Sequence, residues 1–211
     1  LLVVGMFGMF FLGALYLQRI LGYDPLEVGL AFLPWTLVMA AMSLRVTARL
    51  NLRFGPRATL IPSLVVIAAG LLFFARSPVD GSYAVDILPA MILMGLGTGL
   101  AFPSLMTLSM SGATEEDSGL ASGLVNTSMQ VGGAIGLAVL ATLATERTDG
   151  LLAGGDSAAA ALNGGYHLAY LVGAALVLVA IAVAVVVLEP VREATMNREL
   201  AGAEPAGSEA A

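Results

Sequence analysis

Apolar residues occur along the chain in six long stretches, which short polar breaks separate. A helix needs about 20 mostly apolar residues to cross the hydrocarbon core of a bilayer. Each stretch is far more apolar than amphipathic, and its length favours a membrane-spanning helix. The predicted spans cover about residues 1–21, 25–48, 58–75, 86–111, 118–145 and 167–188.

The breaks contain residues that favour turns or helix starts. Pro25 suits the first turn of a helix, where its missing N–H costs nothing. The Gly- and Ala-rich segment 146–166 is predicted to be the only long loop, and residues 191–211 a disordered tail. Because the chain begins with Leu1 inside a hydrophobic span, we expect an upstream part to be missing.

The composition identifies an integral membrane protein. Of the 211 residues 58% are apolar and 11% are charged, against about 25% charged in an ordinary soluble domain, and the mean hydropathy is +0.92. These values exclude a soluble enzyme and a nucleic-acid binder. The chain has no Cys and a single His, His167, so we expect no metal site. His167 is predicted to lie at the membrane interface.

The arginines predict how the spans are oriented. With six spans, the break between spans two and three lies on the same side as the C-terminus. The positive-inside rule then places the C-terminus in the cytoplasm. This side has Arg45, Arg49, Arg53, Arg57, Arg192 and Arg198, whereas the other side has Arg19, Arg76 and Arg147.

Polar residues are unevenly distributed among the spans. Spans three and six contain almost none, so they are predicted to face lipid. Spans one, two, four and five are predicted to surround an interior, which indicates a three-plus-three repeat. The candidate cavity residues are Asn126, Gln130, Ser122, Thr98, Ser104, Phe10, Trp35 and Met39. Two interpretations remain open for them: contact with a substrate, or ordinary packing and hydrogen bonding between helices.

Span four carries three closely spaced glycines before a proline. Gly95, Gly97, Gly99 and Pro103 are compatible with a helix that flexes, and equally with tight packing of small residues.

Three segments of the chain resemble the C-terminal half of major facilitator superfamily transporters. These segments are residues 29–34 (GLAFLP), 95–104 (GLGTGLAFPS) and 118–136 (SGLASGLVNTSMQVGGAIG). More specifically, the chain resembles the fourteen-helix drug:proton antiporter branch. The resemblance implies an all-α bundle of six transmembrane helices, one half of a major facilitator fold. It also implies a multi-pass protein of the plasma (inner) membrane that exports small amphipathic molecules by alternating access.

The segment 48–57 (ARLNLRFGPR) resembles the cytoplasmic gating loop of that superfamily. Arg53, Gly55 and Arg57 match its pattern, whereas Leu52 stands where the pattern has Asp. The alternative is that these arginines only set the topology and bind anionic headgroups.

The resemblance further implies a proton as coupling ion, without other cofactors, and a missing N-terminal half of six or eight helices. The acidic residues all lie in breaks, at span ends or in the tail, so we expect the coupling carboxylates in that missing half. A carrier of another metabolite and a non-transporting helical scaffold are the alternatives. An enzyme is not expected, because no Ser–His pair or paired acids occur at bilayer depth.

Overall fold

The computed structural model describes residues 1–111, 113–114 and 116–188. Within these residues, six helices are long and apolar enough to span a membrane. The predicted fold class, an all-α bundle of six transmembrane helices, is therefore confirmed. The predicted tail 191–211 lies outside the described residues. The helices are α1 (Leu2–Arg19), α2 (Pro25–Phe54), α3 (Pro56–Phe74), α4 (Tyr83–Met110), α5 (Ser118–Ala153) and α6 (Ala158–Val187).

The helix starts follow from local chemistry. The Asp24 carboxylate accepts a hydrogen bond from the Glu27 backbone N–H, and the Glu27 carboxylate accepts one from the Asp24 N–H, each at 2.9 Å. This capping box and Pro25 begin α2. Gly55 has φ 87°, a conformation that few residues other than glycine adopt, and it separates α2 from α3.

The predicted loop 146–166 is wrong. Helix α5 continues to Ala153 and α6 begins at Ala158, so that only residues 154–157 connect them. Four alanines follow Ser157, whose hydroxyl accepts from the Ala160 N–H at 3.3 Å, and Ala has the highest helix propensity. The 36 residues of α5 extend about 54 Å, which exceeds the roughly 30 Å of the hydrocarbon core.

Helix α2 is also longer than predicted, reaching Phe54 instead of residue 48. It includes a π-helical turn, Met42–Thr47. The Thr47 hydroxyl bonds the Met42 carbonyl at 3.0 Å and the Gly99 carbonyl of α4 at 2.9 Å. The wide turn therefore attaches α2 to α4.

The six helices divide into two triplets, α1–α3 and α4–α6, and the first helix of each triplet packs against helices of the other triplet. Helix α1 packs against α5 and α6, and its counterpart α4 packs against α2 and α3. Helices α3 and α6, the third of each triplet, contact each other. This pattern agrees with the three-plus-three repeat of half a major facilitator fold.

Exposure differs strongly among the helices. In α2 and α5 22% of the most apolar segment is buried, and in α6 28%, against 50% or more in α1, α3 and α4. That helices α1, α2, α4 and α5 surround an interior stays a prediction. Thr98 and Ser104 of α4 are buried, whereas Asn126 and Gln130 of α5 are exposed. The lipid contact of α3 and α6 stays a prediction.

The glycines of α4 lie where it crosses two neighbouring helices. A Cβ added to Gly95 would lie 2.7 Å from the Trp35 carbonyl oxygen of α2, and one at Gly99 would lie 2.6 Å from that of Met39. A Cβ at Gly97 would lie 2.9 Å from the Ser63 carbonyl oxygen of α3. Glycine is thus needed for close packing on both sides of α4, and its role in flexing stays a prediction.

Replacement of Gly97 by Ala should destabilise the protein by about 1–3 kcal/mol, because the added methyl group overlaps α3 backbone and the Ile67 side chain. Gly119→Ala in α5 is the matched control. No atom lies within 4 Å of its added Cβ, and the higher helix propensity of Ala should stabilise by up to about 1 kcal/mol. Thermal unfolding of the complete protein in detergent measures both. Equal Tm values for the two variants would contradict the conclusion that Gly97 is needed for close packing.

Candidate substrate-binding wall

Asn126 and Gln130 lie on the same exposed face of α5, because they are four residues apart on a helix. They line a cleft of about 250 Å³. Both amides lie in the first half of α5, closer to its start than expected. Ser122 is exposed one turn earlier on α5 and does not line the cleft. The cleft is lined by Val3, Met6, Phe7, Phe102, Asn126, Met129 and Gln130.

The chemistry of this cleft is that of an amphipathic site. Two neutral amides provide hydrogen-bond donors and acceptors, and the other lining residues are apolar. None of the seven lining residues is ionisable. Flexible Met6 and Met129 can adapt to ligands of different shapes. The arrangement can hold a mainly apolar molecule and orient it through a few polar contacts.

A second group of candidates meets beside α1. The Phe10 ring lies 5.0 Å from that of Phe32 and 5.9 Å from that of Trp35, measured between centroids. The Trp35 indole Nε1–H donates to the Thr98 hydroxyl at 3.2 Å, within the buried part of the bundle. Phe10, Trp35 and Thr98 therefore form one cluster. Phe10 follows Met6 by four residues, so α1 connects this cluster to the cleft.

Phe10 is the accessible member of this aromatic cluster. Its side chain is 52% exposed, whereas Phe32 and Trp35 are each 6% exposed. Sequence reasoning did not include Phe32, although an aromatic residue three positions before Trp35 on a helix was an available signal.

The remaining cavity candidates have structural partners. The Ser104 hydroxyl is buried and donates to the Asn51 side-chain oxygen of α2 at 2.9 Å. Met39 is half-buried, and its backbone lies against Gly99. Sequence reasoning also missed Asn51, whose amide is a polar group within an otherwise basic and apolar segment. Pro103 lies within α4, which continues without a break to Met110.

The candidate gating residues lie where α2 ends and α3 begins. The Arg57 Nη2 donates to the Val185 carbonyl near the end of α6 at 2.7 Å. Arg53 is exposed, and its guanidinium lies 5.1 Å from the centroid of the adjacent Phe54 ring. Arg57 thus attaches α3 to α6. A gating role for Arg53, Gly55 and Arg57 stays a prediction.

Comparison with known proteins identifies the family. Residues 1–137 match the family model of the Major Facilitator Superfamily. The chain belongs to this superfamily. Its members are carriers, so the expectation that the protein is not an enzyme is confirmed, and the six apolar helices make it a multi-pass membrane protein.

Curated relatives in the superfamily have names that refer to drug resistance and export. A puromycin resistance protein from Streptomyces alboniger is 39% identical over 78% of this chain and 33% of its own length. A cephamycin export protein from Amycolatopsis lactamdurans is 38% identical over 67% of this chain and 29% of its own length. A tetracenomycin C resistance and export protein from Streptomyces glaucescens is 34% identical over 66% of this chain.

These names confirm the resemblance to the multidrug efflux branch of the superfamily. The chain spans about a third or less of the length of these relatives.

Thr98→Val should destabilise the bundle by about 1–3 kcal/mol, because the buried Trp35 N–H loses its acceptor. Trp35→Phe removes the donor. In the double variant neither group is left unpaired, so its destabilisation should be smaller than the sum of the two single effects. Thermal unfolding of the four proteins measures the coupling. Strict additivity would show that the hydrogen bond contributes nothing to stability.

Proposed function

We propose that this chain is part of a carrier that exports amphipathic small molecules by alternating access, in exchange for protons. The observation that carries the proposal is the pair of amides, Asn126 and Gln130, in an apolar cleft on an exposed face. A membrane helix facing only lipid does not favour such a pair, since unpaired polar groups in hydrocarbon are costly. A cavity that admits substrate and water gives both amides partners.

The exposed faces of α2 and α5 support a second bundle as the partner of this one. These two helices are the least buried of the six, and they lie at the edges of the bundle away from the contact between α3 and α6. We expect a bundle of six or eight helices to cover them in the complete protein. The substrate cavity would then lie between the two bundles, with Asn126, Gln130 and the exposed Phe10 on its wall.

The substrate class follows from the wall and from the relatives. The wall offers large apolar groups and neutral hydrogen-bonding groups, so it suits uncharged or weakly charged amphipathic compounds. The relatives are named for resistance to or export of puromycin, cephamycin and tetracenomycin C. Antibiotics of mixed polarity are therefore the first compounds to test.

Proton coupling would come from outside this cleft. A coupling group must gain and lose a proton within the membrane, and the residues that line the cleft include no acid or base. We expect a carboxylate elsewhere in the complete protein to bind the proton. The bias of arginines supports insertion in the plasma membrane with the C-terminus in the cytoplasm.

Efflux by the complete protein tests this function. Inside-out membrane vesicles should accumulate puromycin or a fluorescent amphipathic dye when their interior is acidified, and an uncoupler should abolish the uptake. Asn126→Ala combined with Gln130→Ala should lower the initial rate about tenfold or more, since each lost hydrogen bond contributes about 1 kcal/mol. Binding of the same dye should weaken in parallel.

Thr145→Ala is the matched control for this experiment. Thr145 is an exposed α5 residue whose hydroxyl bonds the Ala141 carbonyl of its own helix at 3.0 Å, so its removal should leave transport unchanged. Uptake that ignores the pH gradient would contradict the antiporter mechanism. No uptake of any amphipathic compound would favour the scaffold, and full activity of the double variant would show that the cleft is not the binding site.

A further inference from the structure

A second group of polar side chains lies at the other end of the bundle, where α1 and α3 end and α6 begins. Asn163, Tyr166, His167 and Tyr170 share one face of α6, because they are spaced by three or four residues. They lie beside the turn that follows α3. This group is separate from the cleft on α5.

Two consecutive carbonyl groups in that turn attach α1 and α6 to α3. The Ser77 carbonyl accepts from the Asn163 Nδ2 at 2.9 Å and bonds the His167 Nε2 at 2.7 Å. A carbonyl is only an acceptor, so Nε2 carries the proton of this bond. The Pro78 carbonyl accepts from the Tyr16 hydroxyl at 2.6 Å.

Four polar atoms of residues where α6 packs beside the end of α3 have no hydrogen-bond partner within the described part of the chain. They are the Ser77 Oγ, the Asn163 Oδ1 and the hydroxyl oxygens of Tyr166 and Tyr170. Each of these residues is at most 5% exposed. Buried polar groups are almost always hydrogen-bonded, and leaving one unpaired is costly. Four such atoms between α6 and the end of α3 indicate bound polar molecules.

We propose that this region is an internal water-binding site, which we call the Ser77 site (Ser77, Asn163, Tyr166 and Tyr170). Its groups are neutral hydroxyls and an amide oxygen, which suit water more than an ion. A buried water molecule makes about three hydrogen bonds to groups that otherwise lack a partner. Water bound at these atoms would therefore satisfy them and connect α6 to the end of α3.

The Ser77 site and the aromatic cluster approach α1 at the same residue, Gly13. A Cβ added to Gly13 of α1 would lie 3.8 Å from the Tyr170 hydroxyl and 3.5 Å from the Phe32 ring. Gly13 therefore lies next to both the Tyr170 hydroxyl and the Phe32 ring. Water bound at the Tyr170 hydroxyl would thus fix the position of the α1 segment that includes Phe10. The proposal does not depend on the transport activity, because it concerns the position of α1.

Removal of single hydroxyl groups from the complete protein tests the site. Tyr170→Phe and Tyr166→Phe should each lower Tm by about 2–4 °C if the hydroxyl binds water. An unpaired hydroxyl would give the opposite result, since its removal would leave Tm unchanged or raise it. Tyr83→Phe calibrates the measurement, because the Tyr83 hydroxyl has a protein acceptor, the Ala31 carbonyl, at 2.7 Å.

Radiolytic footprinting gives a second readout that does not depend on stability. Hydroxyl radicals formed from a bound water should modify Tyr166 and Tyr170 despite their burial. Met94, which is fully buried without a neighbouring unpaired polar atom, is the internal control and should stay unmodified. Asn163→Leu should reduce the modification of Tyr170. Modification of Tyr166 and Tyr170 no faster than that of Met94 would overturn the proposal.

Discussion

The close approach of α4 to its two neighbours is the constraint on which the rest of the bundle depends. Gly95 and Gly99 allow the α2 backbone to contact α4, and Gly97 allows the same for α3. Because lipid tails are as apolar as the helix surfaces, such contacts depend on close packing and not on the hydrophobic effect. The hydrogen bonds from Trp35 to Thr98 and from Thr47 to the Gly99 carbonyl form only at this short separation.

The number and type of the helices could be predicted from the sequence, since apolar length alone decides whether a segment can span a bilayer. The pairing of Asn126 with Gln130 could also be predicted, because it depends only on helical periodicity. A composition rich in Gly and Ala predicts a loop at 146–166, and this prediction is wrong. Alanine instead continues a helix once Ser157 caps it.

The bonding partners of Asn51 and Arg57 could not be predicted, because they depend on how each helix is rotated about its axis. Tertiary packing sets that rotation and leaves no periodic signal in an evenly apolar segment. Arg57 matches a loop pattern in the sequence, yet its guanidinium bonds the backbone of α6. The sequence motif therefore identifies Arg57 as a candidate but does not identify the carbonyl that its guanidinium bonds.

The two sides of the bundle are held differently, and this difference bears on the proposed mechanism. Helices α3 and α6 are joined near both ends, by Arg57 at one end and by Asn163 and His167 at the other. Helices α2 and α5 contact the bundle along one side only and leave the other exposed. A carrier that alternates between two openings needs a bundle that moves as a unit and a surface that can change its contacts. The joined pair α3 and α6 suits the first requirement, and the exposed faces of α2 and α5 suit the second.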